Sequence, residues 1–211
     1  MKIEVRNVSK SFKNVEVLHN VSMSFESGNI YSLIGTNGSG KSVFLKILCG
    51  FYEPTNGEIL QDGINFIKNK SFPKNTRCLI EKPQFLPELS GFQNLQLLAS
   101  IQNIITDQEI LNTLELVHLD KEHNKKYSDY SLGMKQKLGI AQVLMEDPEL
   151  IILDEPFNGI EKQTAIELRY ELRNLANKNK IIVIASHIEE DIKKLSDQVF
   201  EFDNGSVTRI K

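Results

Sequence analysis

The octet Gly35-Thr36-Asn37-Gly38-Ser39-Gly40-Lys41-Ser42 follows the spacing G-x-x-x-x-G-K-[ST]. Each residue type has a reason to be there if the ligand is a chain of phosphates. Glycines let backbone N–H groups turn inward around anionic oxygens, and a following helix N-terminus adds positive potential. The Lys41 ammonium supplies a point charge, and the Ser42 hydroxyl can ligate a divalent cation. Two further groups end apolar runs. Asp154-Glu155 follows Leu150-Ile151-Ile152-Leu153, and Ser186-His187 follows Ile181 to Ala185. An aspartate at a strand end can hold Mg²⁺ directly or through a water, while a glutamate beside it can orient and polarise the attacking water in phosphoryl transfer.

These residues need elements to carry them. Ile30 to Ile34 reads as a buried strand and Val43 to Cys49 as a helix closed by Gly50, the context the phosphate-binding pattern requires. The uninterrupted apolar runs at Leu150 and Ile181 read as parallel strands covered on both faces. In an open α/β sheet, ligands sit beyond the carboxyl ends of the strands, so the loop, Asp154-Glu155 and His187 are expected to converge. Upstream, Ile3 and Val5, Val21 with Met23 and Phe25, and Glu58 to Leu60 form short alternating runs between turn signals, as in an antiparallel β region.

From about Leu79 to Pro148 the pattern becomes helical. Ser90-Gly91-Phe92-Gln93 and Thr106-Asp107-Gln108-Glu109 fit capping boxes, and a helix from about Gly133 to Glu146 places Met134, Leu138, Ala141 and Met145 on one face. A charged helix from about Gln163 to Asn177 and a hairpin around Asp203-Asn204-Gly205 complete the chain. The expected fold class is α/β. A P-loop NTPase core with a parallel sheet carries an N-terminal antiparallel β subdomain and an inserted α-helical subdomain at about 79–148, all within one domain over 1–211.

Composition narrows the function classes. With 211 residues and 40% hydrophobic content the chain can bury a substantial core. Its 25 basic and 28 acidic residues leave a formal charge of −3, so no global attraction to nucleic acid is expected. Cys49 and Cys78, the two cysteines, are too few for a disulfide framework and lack metal-ligand spacing; they read as packed thiols of a reducing interior. No signal-peptide core opens the chain, and no stretch approaches the roughly 18 apolar residues of a spanning helix, so a soluble cytosolic chain is expected. His19, His118 and His123 read as surface or packing residues, and Lys125-Lys126 as a solvated face.

Taken together, these motifs resemble the nucleotide-binding subunits of ABC transporters over nearly the whole chain. Phe51-Tyr52-Glu53-Pro54-Thr55-Asn56-Gly57-Glu58-Ile59 is similar to the segment after that family's phosphate loop. Tyr130-Ser131-Leu132-Gly133-Met134 stands where the signature L-S-G-G-Q belongs, with Ser131 and Gly133 retained. It resembles the S-L-G-M-K-Q variant of the bacitracin- and lantibiotic-resistance branch.

The resemblance implies ATP and Mg²⁺ as cofactors. It implies Glu155 and His187 as catalytic, Ser42, Asp154 and Glu81 at the metal, and Ser131 with Gly133 facing the γ-phosphate across a head-to-tail dimer. Gln84 competes with Glu81, and Phe12 is either an adenine-stacking ring or core. Asn158-Gly159-Ile160-Glu161 replaces the usual acidic dimer-contact loop.

The partners implied are integral membrane permease subunits and a second ATP-binding subunit, with the chain peripheral on the inner face of the membrane. Phe85, Leu86, Leu89 and Phe92 either line a docking groove for the permease or pack within the subdomain. Export of a peptide antibiotic or drug is the expected task. A soluble ABC-type ATPase acting on ribosome or nucleic acid is the alternative, though it usually joins two nucleotide domains or carries a long insertion. A P-loop kinase would have no use for Ser131-Leu132-Gly133 or His187. Replacing Lys41 with alanine is expected to weaken triphosphate binding, as read by calorimetric titration with ATP.

Overall fold

The computed structural model describes residues 1–188, 192 and 194–211. In chain order its elements are β1 (Lys2–Phe12), β2 (Val15–Glu26), β3 (Ile30–Ile34), α1 (Lys41–Leu48), β4 (Asn56–Gln61), β5 (Thr76–Leu79), α2 (Gly91–Gln102) and α3 (Asp107–Leu116). These are followed by α4 (Leu132–Leu144), β6 (Leu150–Asp154), α5 (Lys162–Asn177), β7 (Ile181–Ala185), β8 (Gln198–Asp203) and β9 (Ser206–Arg209). They fall into two compact units: Met1–Ile80 with Glu149–Glu155 and Leu172–Lys211, and Glu81–Pro148 with Pro156–Glu171.

Two sheets build the first unit. One is antiparallel in the order β2-β1-β4; the other runs β5-β6-β7-β3-β8-β9. In the second sheet β5, β6, β7, β3 and β8 are parallel, and β9 returns antiparallel on β8. Burial explains why the runs of β3, β6 and β7 are apolar without alternation: Ile30, Leu33, Leu150 to Leu153 and Ile181 to Ala185 are all fully buried. Helix α1 adds Phe44, Leu45, Ile47 and Leu48 to the same core, with the Phe44 ring 5.3 Å from that of Phe202. The hairpin turns through Asn204-Gly205 between the paired residues Asp203 and Ser206.

The strand β5 is not anticipated by a reading that turns helical at Leu79. Thr76-Arg77-Cys78-Leu79 is a short edge strand of mixed polarity, without alternation to announce it. Tertiary pairing makes it a strand: Thr76 to Leu79 align with Leu150 to Leu153 of β6.

In the second unit both capping boxes form. Ser90 Oγ accepts from Gln93 N at 3.2 Å while Gln93 Oε1 accepts from Ser90 N at 2.9 Å, and Thr106 and Glu109 make the same exchange. Buried Asn94 then holds the segment ahead of α2. Its Oδ1 accepts from Leu86 N at 2.9 Å, and its Nδ2 donates to the carbonyls of Leu86, Leu89 and Ser90 at 3.1, 3.3 and 3.0 Å. Truncation would leave Leu86 N without this acceptor, while the three carbonyls keep Leu89 N, Tyr127 N and Asn94 N as donors. Asn94→Ala is expected to lower stability by about 1–3 kcal/mol, read as a reduced urea midpoint at unchanged slope.

Candidate functional site

The connection from β3 to α1 winds around its own lysine. Lys41 Nζ donates to the carbonyl oxygens of Gly35 at 2.7 Å and Thr36 at 3.0 Å, and to Ser39 Oγ at 3.4 Å. Ser39 N closes the turn on Thr36 O at 3.2 Å, which leaves Thr36, Asn37 and Gly38 exposed at the tip. Gly40 caps the helix with φ of 106°, and the first turn of α1 contains no acidic residue to oppose an anion. The loop therefore presents a helix N-terminus and a fixed cation to one place, as a phosphate group requires.

Sheet register brings the remaining groups beside it. Leu33 of β3 pairs with Ala185 of β7, and Ala185 pairs with Asp154 of β6, so these three residues form one row across the sheet. Just beyond that row come the phosphate loop, His187 and Glu155. Ser42 Oγ donates to Asp154 Oδ2 at 2.8 Å, and His187 Nδ1 lies 2.7 Å from Glu155 Oε1. The His187 side chain is 66% exposed and that of Glu155 27%, so the pair is open to a water or a phosphate. Glu155 adopts a left-handed φ of 48°, uncommon without glycine, and Glu155 N is held on Ala185 O at 2.9 Å. Phe12 is 39% exposed at the end of β1, with its ring 5.4 Å edge-on from that of Tyr52 and Lys10 Nζ 5.0 Å from its centroid. It is a surface aromatic with a cation over it, not a core residue.

The other expected site residues belong to the second unit. Ser131 is the N-cap of α4, its Oγ accepting from Met134 N at 3.3 Å. Tyr130 stands before it as a buried ring whose phenol donates to Glu122 O at 2.9 Å; burial pushes that phenol up to about 12, which keeps it a neutral donor. Gly133 has a reason to be glycine that spacing does not reveal. A Cβ there would lie 2.5 Å from Gly159 O, so the signature helix and the Asn158-Gly159-Ile160-Glu161 loop touch backbone to backbone. One turn on, buried Gln136 donates from Nε2 to Pro156 O at 3.1 Å, gripping the residue that follows Glu155. Glu81 and Gln84 are both exposed, Glu81 with a left-handed φ of 71°.

Support for the phosphate loop comes from a part of the chain that the motif does not name. Gly205, at φ 79°, donates from N to Ser39 O at 3.1 Å, and its own carbonyl accepts from His19 N at 2.9 Å. A Cβ on Gly205 would lie 2.4 Å from Val17 O and 2.6 Å from the His19 ring. The hairpin turn thus backs the loop only because residue 205 has no side chain. Gly205→Ala is expected to lower nucleotide affinity about tenfold, read by titration of a fluorescent ATP analogue, because the loop loses this brace.

The family model described as "ABC transporter" matches residues 18–158. The ABC transporter ATP-binding protein YybJ of Bacillus subtilis (strain 168) is 41% identical over 203 residues, covering 96% of this chain and 93% of its own length. The bacitracin transport ATP-binding protein BcrA of Enterococcus faecalis is 37% identical over 199 residues, which are 93% of this chain but 65% of the relative. The chain thus spans about two thirds of that protein. A solved structure of an ATP binding subunit of an ABC transporter superposes with a TM-score of 0.88 at 25% identity, covering 100% of this chain and 90% of the other. On this family match and these relatives, the chain belongs to the ABC transporter family and is an ATPase cassette of that family.

Proposed function

We propose that this chain hydrolyses ATP to power a separate membrane permease that exports a peptide antibiotic or drug. The observation that carries the reading is the pair of contacts at neighbouring strand ends, Ser42 to Asp154 and Glu155 to His187. The first pair supplies a hydroxyl and a carboxylate at one point, the hard oxygen donors that suit Mg²⁺ when phosphates and waters complete its shell. Among the described residues there is no cluster of three His, Cys, Asp or Glu to cage a metal alone, so the nucleotide itself would share in holding it. Bound there, Mg²⁺ would neutralise charge on the β- and γ-phosphates.

The residues then divide the work. Lys41 and the loop amides hold the phosphate chain. Glu155 Oε1 orients the attacking water and takes its proton as the water oxygen bonds to the γ-phosphorus and the bond to the ADP oxygen breaks. His187, hydrogen-bonded through Nδ1, keeps Glu155 aimed and leaves Nε2 for the γ-phosphate. Phe12 stacks on adenine, where an exposed aromatic beside Lys10 is well suited. Glu81, or Gln84 in its place, would extend toward the metal and the water. Ser131 and Gly133 would complete the site from a second copy packed head to tail, since a capped helix N-terminus is a ready anion donor.

Among the described residues no helix is long and apolar enough to cross a membrane. In this reading the permease is a separate polypeptide, with this chain on its cytoplasmic face. Leu86, 51% exposed and flanked by Phe85, Leu89 and Phe92, offers an apolar contact for it. Likeness to a bacitracin transport protein and the S-L-G-M-K-Q signature support a peptide antibiotic as cargo.

The test is Glu155→Gln, which keeps the side-chain shape and removes the base. Steady-state turnover should fall by about 10²-fold or more, while an ATP-bound dimer accumulates on size exclusion. Undiminished turnover would remove Glu155 from its role. Copurification of an integral membrane protein with the native chain checks the coupling to transport.

A further inference from the structure

Within the first unit, the stretch that follows α1 meets the end of β1 around a single ammonium group. Lys10 Nζ lies 5.0 Å from the centroid of the Phe12 ring and 5.7 Å from that of Tyr52, and it donates to Glu53 O at 2.6 Å. The two rings meet edge-on, 5.4 Å apart with 75° between their planes. Lys46 of α1 brings a second ammonium 5.6 Å from the Tyr52 ring, and its carbonyl accepts from Phe51 N at 2.8 Å and Tyr52 N at 3.3 Å. Two further bonds hold the strand end to the same stretch: Ser11 N donates to Thr55 Oγ1 at 2.9 Å, and Thr55 N donates to Ser9 O at 2.8 Å.

An exposed phenylalanine samples several staggered rotamers, and a ligand that stacks on it must overcome the entropy of fixing one. The Phe12 ring is held in advance. A cation within about 6 Å of an aromatic centroid is attracted to it, and the Glu53 carbonyl keeps this cation from leaving for solvent. The ammonium also draws the π charge of the ring toward itself, which leaves the remaining ring surface less repulsive to the π cloud of a base.

We propose that Lys10 is a positioning residue for the nucleobase, acting through Phe12: it holds and polarises the ring, while Tyr52 and Glu53 hold Lys10 in turn. This role rests on the reading that Phe12 stacks on the base of ATP. Its effect falls on the base and not on the phosphates, and it gives the stretch after the phosphate-loop helix a part in nucleotide binding.

The experiment measures Kd by calorimetric titration of the full chain with ATP and, separately, with inorganic triphosphate. The chains compared are the native one, Lys10→Met, Lys10→Arg, Phe12→Ala and the double variant Lys10→Met with Phe12→Ala. Lys10→Met keeps a side chain of similar length without its charge; it should weaken ATP about fivefold and leave inorganic triphosphate unchanged, which also shows that the site is folded. Lys10→Arg keeps a cation over the ring and should stay within about twofold of the native chain. The double variant should lose no more than Phe12→Ala alone, because Lys10 acts through that ring. The proposal is overturned if Phe12→Ala weakens ATP and Lys10→Met does not, an outcome that leaves the stacking reading standing. It is also overturned if Lys10→Met weakens inorganic triphosphate as much as ATP, which would make the ammonium a phosphate contact, or if the two losses add in the double variant. Phe12→Ala binding ATP as tightly as the native chain would overturn the stacking reading itself, and this role for Lys10 with it.

Discussion

The hydrogen bond from Ser42 to Asp154 joins the first turn of a helix to the end of a strand 112 positions later in the chain. Such a bond exists only because the sheet is parallel at this point. With β6, β7 and β3 in register, Asp154, Ala185 and Leu33 share one row, and whatever follows each strand emerges at the same edge. A one-residue slip would turn Asp154 to the opposite face of the sheet and separate Glu155 from His187. The full burial of Ile181 to Ala185 and Leu150 to Leu153 prevents that slip. The hydrophobic core and the chemistry are therefore one constraint, seen from its two ends.

Much of this was legible in the sequence because the decisive features are local. A phosphate loop is eight adjacent residues; a buried parallel strand is an unbroken apolar run; a capping box is four positions. Ile30 to Ile34 and Ile181 to Ala185 agree with the observed strands residue for residue. What spacing could not show was contact between distant segments. Gly205 reads as an ordinary hairpin glycine until Ser39 and Val17 are found against it. Strand β5 carries no pattern of its own and is strand because β6 lies alongside. Gln136 stood out only as part of a motif, although its buried amide holds the Pro156 carbonyl.

Within the second unit, two contacts hold the Ser131-capped helix to the segment that begins at Pro156. Gly133 lies against Gly159 so closely that no side chain would fit between them, and Gln136 fixes the carbonyl next after Glu155. Both contacts lie within the unit that contains α4 and Pro156–Glu171.

The central claim is that the phosphate loop of one chain is completed by the signature of another. Complementation tests it most directly: Lys41→Ala disables the loop half and Ser131→Glu the signature half, and ATP hydrolysis is measured for each variant alone and for an equimolar mixture. A head-to-tail arrangement leaves one intact composite site in every mixed dimer, so the mixture should hydrolyse ATP well above either variant. A mixture no more active than its components would contradict the claim and return the complete site to a single chain.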